Sequence, residues 1–236
     1  MPGYQTKQEH IAIQGAASLV ICSLLDRQQY ADPHGEAAAQ GISSATWPLF
    51  GLVWPSSLQL AAHMAARPVM ASERILEVGC GLGLASLVSH RRGADVTASD
   101  CHPLASMFLG RNVLLNALPP LAYHHGPWQA AANESSPGLH ARYDLIIGSD
   151  VLYERDEAGH LSRFIDQRAM PTAEVLIVDP NRGNRAAFNR RMAQAGFVLT
   201  ESRLSRLAPT DEAYRGRLLH YRRSALPGGG LGQAGC

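Results

Sequence analysis

The 236 residues suffice for one sizeable α/β domain, and 46% of them are apolar, enough for a core. With 21 Lys and Arg against 20 Asp and Glu, a net charge of +1 excludes a whole-molecule pull toward nucleic acid or anionic lipid. Four cysteines with no C-x-x-C pair argue against a zinc site and a disulfide framework, so reduced thiols are expected.

The first ten residues carry no apolar signal segment, and Leu19–Leu25 is too short to span a bilayer. A soluble, cytoplasmic monomer is the expectation, bound to no nucleic acid and no membrane. His10–Ile13 and Ser18–Leu25 read as a hairpin, and Asp32–Ala45 as a loop. Trp47–Pro55 is rich in aromatics and proline, and Pro55 suits the first turn of a helix that buries Leu58, Leu60, Ala61 and Met64.

Strands and helices then alternate. Strand 74–78 precedes helix 82–92, strand 95–99 precedes helix 104–117, and a short strand over 121–125 leads to a loop with Trp128 and a Ser-Ser-Pro-Gly turn. Strand 143–148 precedes helix 157–168, and strand 174–178 precedes helix 184–195, which Gly196 ends. Two closing strands, 197–206 and 217–223, have no helix between them, only a connection containing Pro209, Thr210 and Asp211. The pattern predicts an α/β three-layer sandwich. Its seven-stranded sheet is mostly parallel with an antiparallel edge strand, and an N-terminal β-hairpin is appended. The expected division is an extension over 1–45, the main domain over 46–226 and a flexible Gly-rich tail over 227–236.

The densest motif is Glu77-Val78-Gly79-Cys80-Gly81-Leu82-Gly83, where a strand turns into a helix. Glycines at every second position let a ligand lie on the backbone, near amides at the helix start. A dinucleotide site wants G-x-G-x-x-G, but Leu84 and Ser86 stand where its last glycine would fall. S-adenosylmethionine carries a sulfonium and an ammonium instead of a pyrophosphate, and a carboxylate at Glu77 suits that charge. Asp100, closing the next strand, can accept from both ribose hydroxyls; Cys101 follows it. The plain alternative is a tight turn flanked by solvated acids.

Four segments carry a resemblance to a known group: Val53-Trp54-Pro55-Ser56-Ser57 with Leu60-Ala61, Leu76 to Gly83, Arg111-Asn112-Val113-Leu114-Leu115-Asn116, and Tyr143 to Tyr153 with its Asp-Val-Leu-Tyr ending. The chain resembles the seven-β-strand methyltransferases, Rossmann-like in fold, and among them the protein-lysine methyltransferase group. The glycine motif is shared widely across methyltransferases, whereas Asp150-Val151-Leu152-Tyr153 is narrower. The resemblance implies S-adenosylmethionine bound by Trp54, Glu77, Gly79, Gly81, Gly83, Asp100, Cys101, Trp128 and Ser149, with S-adenosylhomocysteine as product. It implies transfer to a protein lysine at Asp150 and Tyr153. Asn112 and Asn116 match as braces for adjoining loops. Asp179-Pro180-Asn181-Arg182 departs from one branch of the group, which has glycine in place of Asn181, so no substrate carries over.

Methyl transfer needs an aligned lone pair and little water. A lysine of pKa about 10.4 is neutral in only about one molecule in a few thousand at pH 7. A nearby carboxylate raises that pKa, so Asp150 reads as capturing and orienting the ammonium, and Tyr153 as steering it through its aromatic face. The ordinary readings are a loop cap for Asp150 and packing for Tyr153. Trp47 reads as core or lid packing, and His124 and His125 as solvated or satisfied histidines. A small-molecule N- or O-methyltransferase and a non-catalytic S-adenosylmethionine-binding module remain alternatives at this point.

Overall fold

The computed structural model describes residues 3–128, 141–153, 156–207, 210 and 212–224. The expected Ser-Ser-Pro-Gly turn, Pro209, Asp211 and the 227–236 tail lie outside the described residues.

An N-terminal hairpin pairs β1 (Thr6–Ile13) with β2 (Ala16–Leu24). A short helix, α1 (Glu36–Ala39), interrupts the expected loop because the Asp32 carboxylate accepts the amides of Ala37 and Ala38, at 3.1 and 2.9 Å. A 3-10 helix over Trp47–Gly51 leads to α2 (Pro55–Ala66), with proline in the first turn as expected. The alternating series follows: β3 (Arg74–Val78), α3 (Leu84–Arg91), β4 (Asp95–Asp100), α4 (Ala105–Leu115), β5 (Ala122–His125), β6 (Tyr143–Ser149), α5 (His160–Arg168), β7 (Ala169–Asp179), α6 (Arg185–Gln194), β8 (Val198–Arg206) and β9 (Ala213–Arg223).

Helix α5 starts three residues later than its pattern predicts, because Asp156 caps the amides of His160 and Leu161 at 2.7 and 2.9 Å. Strand β7 starts five residues earlier, running on directly from α5. Pro171 and Thr172 are exposed there, so this stretch lacks the apolar signature of a buried strand.

The main sheet has the order β5-β4-β3-β6-β7-β9-β8. β3 pairs in parallel with both β4 and β6, whereas β9 runs antiparallel between β7 and the outermost β8. Its two faces follow the period of two. Ile75, Leu145, Ile147, Leu176 and Val178 pack under Leu60 and Met64 of α2. Leu76, Val78, Ile146, Val175 and Ile177 pack under α5 and α6 through Phe164, Ile165, Phe188 and Met192.

The hairpin shares a core with α3 and α4, in which Leu19, Ile21 and Leu24 meet Leu87, Phe108 and Val113. Trp47 sits in this core, 1% exposed, as its packing reading expects. The two expected bracing asparagines hold the hairpin: Asn112 Oδ1 accepts the Cys22 amide at 2.8 Å, and Asn116 Oδ1 accepts the Val20 amide at 3.0 Å while its Nδ2 donates to Val20 O at 2.8 Å. Among the described residues, no helix is long and apolar enough to cross a membrane.

Asn112 is fully buried, so replacing it leaves the Cys22 amide without its partner. Asn112→Ala is expected to lower unfolding stability by about 1–3 kcal/mol, measured by denaturant titration; an unchanged midpoint would remove Asn112 as the brace.

Candidate functional site

Sheet order reverses between β3 and β6, so a crevice opens beyond their C-terminal ends, where α/β sheets bind ligands. The glycine loop forms its floor. The Cys80 amide donates to Ser99 O at 3.0 Å, and the Gly81 amide donates to Asp100 Oδ2 at 2.8 Å. Gly79 and Gly81 have φ of 59° and 53°, where side chains are strained. A carbon added at Gly81 would lie 2.7 Å from Phe50 O, and one at Gly79 would lie 2.9 Å from Val151 Cγ1 and 3.4 Å from Trp128.

Above the loop is a cavity of about 560 Å³. Of the residues expected at the site, its wall brings together Trp54, Gly79, Gly81, Asp100, Cys101, Trp128, Ser149, Asp150 and Tyr153. Gly83 stands behind the wall at the start of α3, packed toward Leu109. Glu77 also stands behind it, 2% exposed, with its carboxylate turned to Ser86 instead of the cavity. Glu77 Oε2 accepts from the Ser86 amide at 2.8 Å and from the Ser86 hydroxyl at 2.5 Å. Burial pushes the Glu77 carboxyl up to about 7, against the lowering effect of those two bonds.

Asp100 is placed as the motif predicts. Its carboxylate takes one amide on each oxygen, from Gly81 and from His102, both at 2.8 Å. The Cys101 backbone also bonds this carboxylate, which lines the cavity where it can accept from a ligand hydroxyl. Burial raises the Asp100 carboxyl, with the backbone bonds opposing.

The wall also includes residues not assigned to the site from sequence, among them Arg27, Phe50, His102 and Arg182. The Arg27 guanidinium lies 4.7 Å over the Trp54 ring, whose indole N–H donates to Leu49 O at 2.8 Å. His102 stacks on Phe50 with centroids 3.7 Å apart, and burial lowers its pKa to about 4, so the ring is neutral. Only the aromatic run at 47–54 hinted at this wall.

Asp150 follows β6 directly in the left-handed region, φ 52°, with its amide donating to Val178 O at 2.8 Å. Its carboxylate receives Arg182 Nε and Nη2, one on each oxygen, both at 2.8 Å. Tyr153 lies 43% exposed at the same wall. A neighbouring cavity of about 640 Å³ shares Trp128, Val151 and Tyr153 with the first. Among the described residues no cluster of His, Cys, Asp and Glu could hold a metal ion. The arrangement suits a nucleoside-bearing molecule laid on the glycine backbone, with a polar, partly open mouth at Asp150 and Tyr153.

A family model described as lysine methyltransferase matches residues 43–194, which spans the loop, Asp100, Asp150 and Arg182. The chain belongs to the lysine methyltransferase family. Within it, the chain is 29% identical over 162 residues to the electron transfer flavoprotein beta subunit lysine methyltransferase of Danio rerio, covering 66% of this chain and 60% of that protein. It is 28% identical over 168 residues to the calmodulin-lysine N-methyltransferase of Arabidopsis thaliana, covering 64% and 54%. The chain thus spans somewhat over half the length of these curated relatives. Among solved structures, the ribosomal protein L11 methylase from Lactobacillus delbrueckii subsp. bulgaricus shares the fold, with TM-score 0.52 and 19% identity over 71% of this chain and 79% of that one.

The buried Glu77 has a measurable signature. The folded protein holds its proton more tightly than the unfolded chain, so Glu77 costs stability as pH rises from about 4.5 to about 7. The stability difference between wild type and Glu77→Gln should therefore fall by about 3 kcal/mol or less across that window and be flat above it. His102 contributes with the opposite sign, but in both proteins, and cancels. Denaturant titrations between pH 4.5 and 8 check this, and a flat difference would place Glu77 elsewhere.

Proposed function

We propose that the protein is an S-adenosylmethionine-dependent methyltransferase acting on a lysine side chain of a protein. One observation carries the reading: the Asp150–Tyr153 segment, whose motif is the narrower of the two, stands at the wall of the same cavity that the glycine loop floors. The family match and the names of the two lysine methyltransferase relatives support it.

The residues present fit the cofactor. Gly79 and Gly81 leave room for it where a Cβ would meet Val151 or Phe50, and the Asp100 carboxylate lines the same cavity as an acceptor for a ribose diol. Trp54 and Trp128 offer apolar surface on the wall. When bound, S-adenosylmethionine supplies a methyl group on a cationic sulfonium. The protein's own residues then position the acceptor and exclude water. The Asp150 carboxylate draws the lysine ammonium to the mouth, and the half-exposed Tyr153 ring offers a π face to its stem and charge. Proton loss to water at the open mouth precedes transfer.

Asn181 fits the same reading. Its φ of 64° is the left-handed conformation that a glycine adopts without strain and that asparagine tolerates best among other residues. The departure from Asp-Pro-Gly-Arg therefore keeps the backbone path that presents Arg182.

Two variants separate binding from transfer. Gly81→Ala is expected to weaken S-adenosylhomocysteine binding at least about tenfold by calorimetry, because the new carbon meets the Phe50 carbonyl. Asp150→Asn is expected to keep that affinity but lose about 100-fold or more of methyl-lysine formation. The assay follows labelled methyl from S-adenosylmethionine into cell-extract protein, with methyl-lysine identified after hydrolysis. Label confined to small molecules, or full activity of Asp150→Asn, would overturn the assignment.

A further inference from the structure

Asp150 faces two demands that conflict. Its charge attracts a lysine ammonium, yet a bare carboxylate stabilises that ammonium against the proton loss that transfer needs. The structure places a second group on the carboxylate. The Arg182 fork meets both Asp150 oxygens at 2.8 Å, and each oxygen retains a further lone pair.

This pairing is built from several directions. Asp150 is pinned by the hydrogen bond its backbone N–H donates to Val178 O. The Arg182 amide donates to the fully buried Asp179 carboxylate at 3.1 and 3.3 Å, closing the turn through left-handed Asn181. Asn181 Oδ1 in turn accepts from Arg185 Nη1 at 2.8 Å and from Arg217 Nε at 3.3 Å. A surface ion pair has no need of such bracing. Arg182 is 42% exposed and Asp150 12%, and both line the cofactor cavity.

We propose that Arg182 is a positioning residue of the transfer site, whose guanidinium offsets the Asp150 charge so that Asp150 holds the acceptor amine by a hydrogen bond without locking it in its protonated form. The proposal rests on the lysine methyltransferase reading above.

The surrounding charges support a balance that depends on Arg182. Asp150 and Asp179 are matched by Arg182 and Arg185, the latter 3.7 Å from Asp179. Arg217 pairs with Glu201 on β8. Tyr214 of β9 shares a hydrogen bond of 2.8 Å with Ser56 of α2; burial pushes it up to about 12, so it carries no charge here. Among the described residues of the loop, Tyr153 lines this cavity, whereas Asp156 and Glu157 line the neighbouring one. Arg27 and Asp100 stand on the same cavity wall, Arg27 over the Trp54 ring and Asp100 on backbone amides, and His102 there is neutral. Without Arg182 the mouth gains one uncompensated negative charge.

The step balances. The lysine ammonium first gives one proton to water. The nitrogen lone pair then forms the N–C bond as the carbon–sulfur bond breaks, its electron pair staying on sulfur. The product is a methylated ammonium and a neutral thioether.

The test compares wild type, Arg182→Gln and Arg182→Lys. Transfer of labelled methyl to lysine in extract protein is measured from pH 6 to 10, at acceptor saturation, where the profile reports groups in the bound complex. Arg182→Gln should move the acid limb upward by about one pH unit or more, and Arg182→Lys, which keeps the charge, should restore it. A second readout needs no turnover. Calorimetry in two buffers counts protons released when the mapped acceptor peptide binds with S-adenosylhomocysteine, and Arg182→Gln should release fewer. An unshifted limb with uniformly lower rate makes Arg182 merely structural, and a faster Arg182→Gln makes it a plug that substrate displaces; either overturns the proposal while the methyltransferase reading stands. No lysine label from wild type overturns both.

Discussion

Parallel pairing of β3 with β4 on one side and β6 on the other is the constraint on which the site depends. It sends the C-terminal ends of β3, β4, β6 and β7 to one edge of the sheet, so Gly79, Asp100, Asp150 and Asp179 emerge together despite spanning a hundred residues of chain. The strands hold this alignment because they are apolar on both faces. Ile75, Leu145, Ile147 and Leu176 go to one helical layer, and Leu76, Ile146, Val175 and Ile177 to the other. A one-residue slip in any of them would exchange the faces and scatter the strand ends.

The N-terminal region contributes a wall as well as a cap. Its hairpin is tied to α4 by Asn112 and Asn116, and its core residues reach α3. That docking places the Trp47–Phe50 segment so that the Phe50 carbonyl lies against Gly81 and the Phe50 ring stacks on His102. The glycine loop is thus enclosed from both sides: by the sheet below, and by a segment far upstream above. Small residues at 79 and 81 are required by these contacts as much as by a ligand.

Charge is distributed by depth. The acid behind the glycine loop, Glu77, is turned to Ser86 and partly neutralised by its own raised pKa, which removes an unpaired charge from the core. Asp100, on the cavity wall, is held by the backbone amides of Gly81, Cys101 and His102. Asp150, nearest the mouth, has a side-chain partner in Arg182. The acids that border the cavity stand where the proposed cationic acceptor and sulfonium-bearing cofactor would be received, and each has hydrogen-bond partners that limit its cost.

Much of this was legible in the sequence. Local periodicity determined the strands and helices, because a buried strand must be apolar whatever its neighbours. The glycines at 79 and 81, Asp100 at the end of β4 and the Asp150–Tyr153 segment could be marked because each sits at a fixed offset from a strand end. Where the periodicity fell short, at the starts of β1, β7, β9 and α5, partly exposed strand stretches and an aspartate cap were responsible, and neither leaves a continuous apolar pattern. Only the tertiary structure decided the partners. Glu77 could face either a ligand or α3, and the packing of α3 turned it to Ser86. Arg182 reaches Asp150 from 32 residues away, and Arg27 reaches Trp54 from the turn that follows the hairpin. Such contacts depend on which strands become neighbours and how the hairpin docks, and both are settled by burial summed over the whole chain, which no local pattern records.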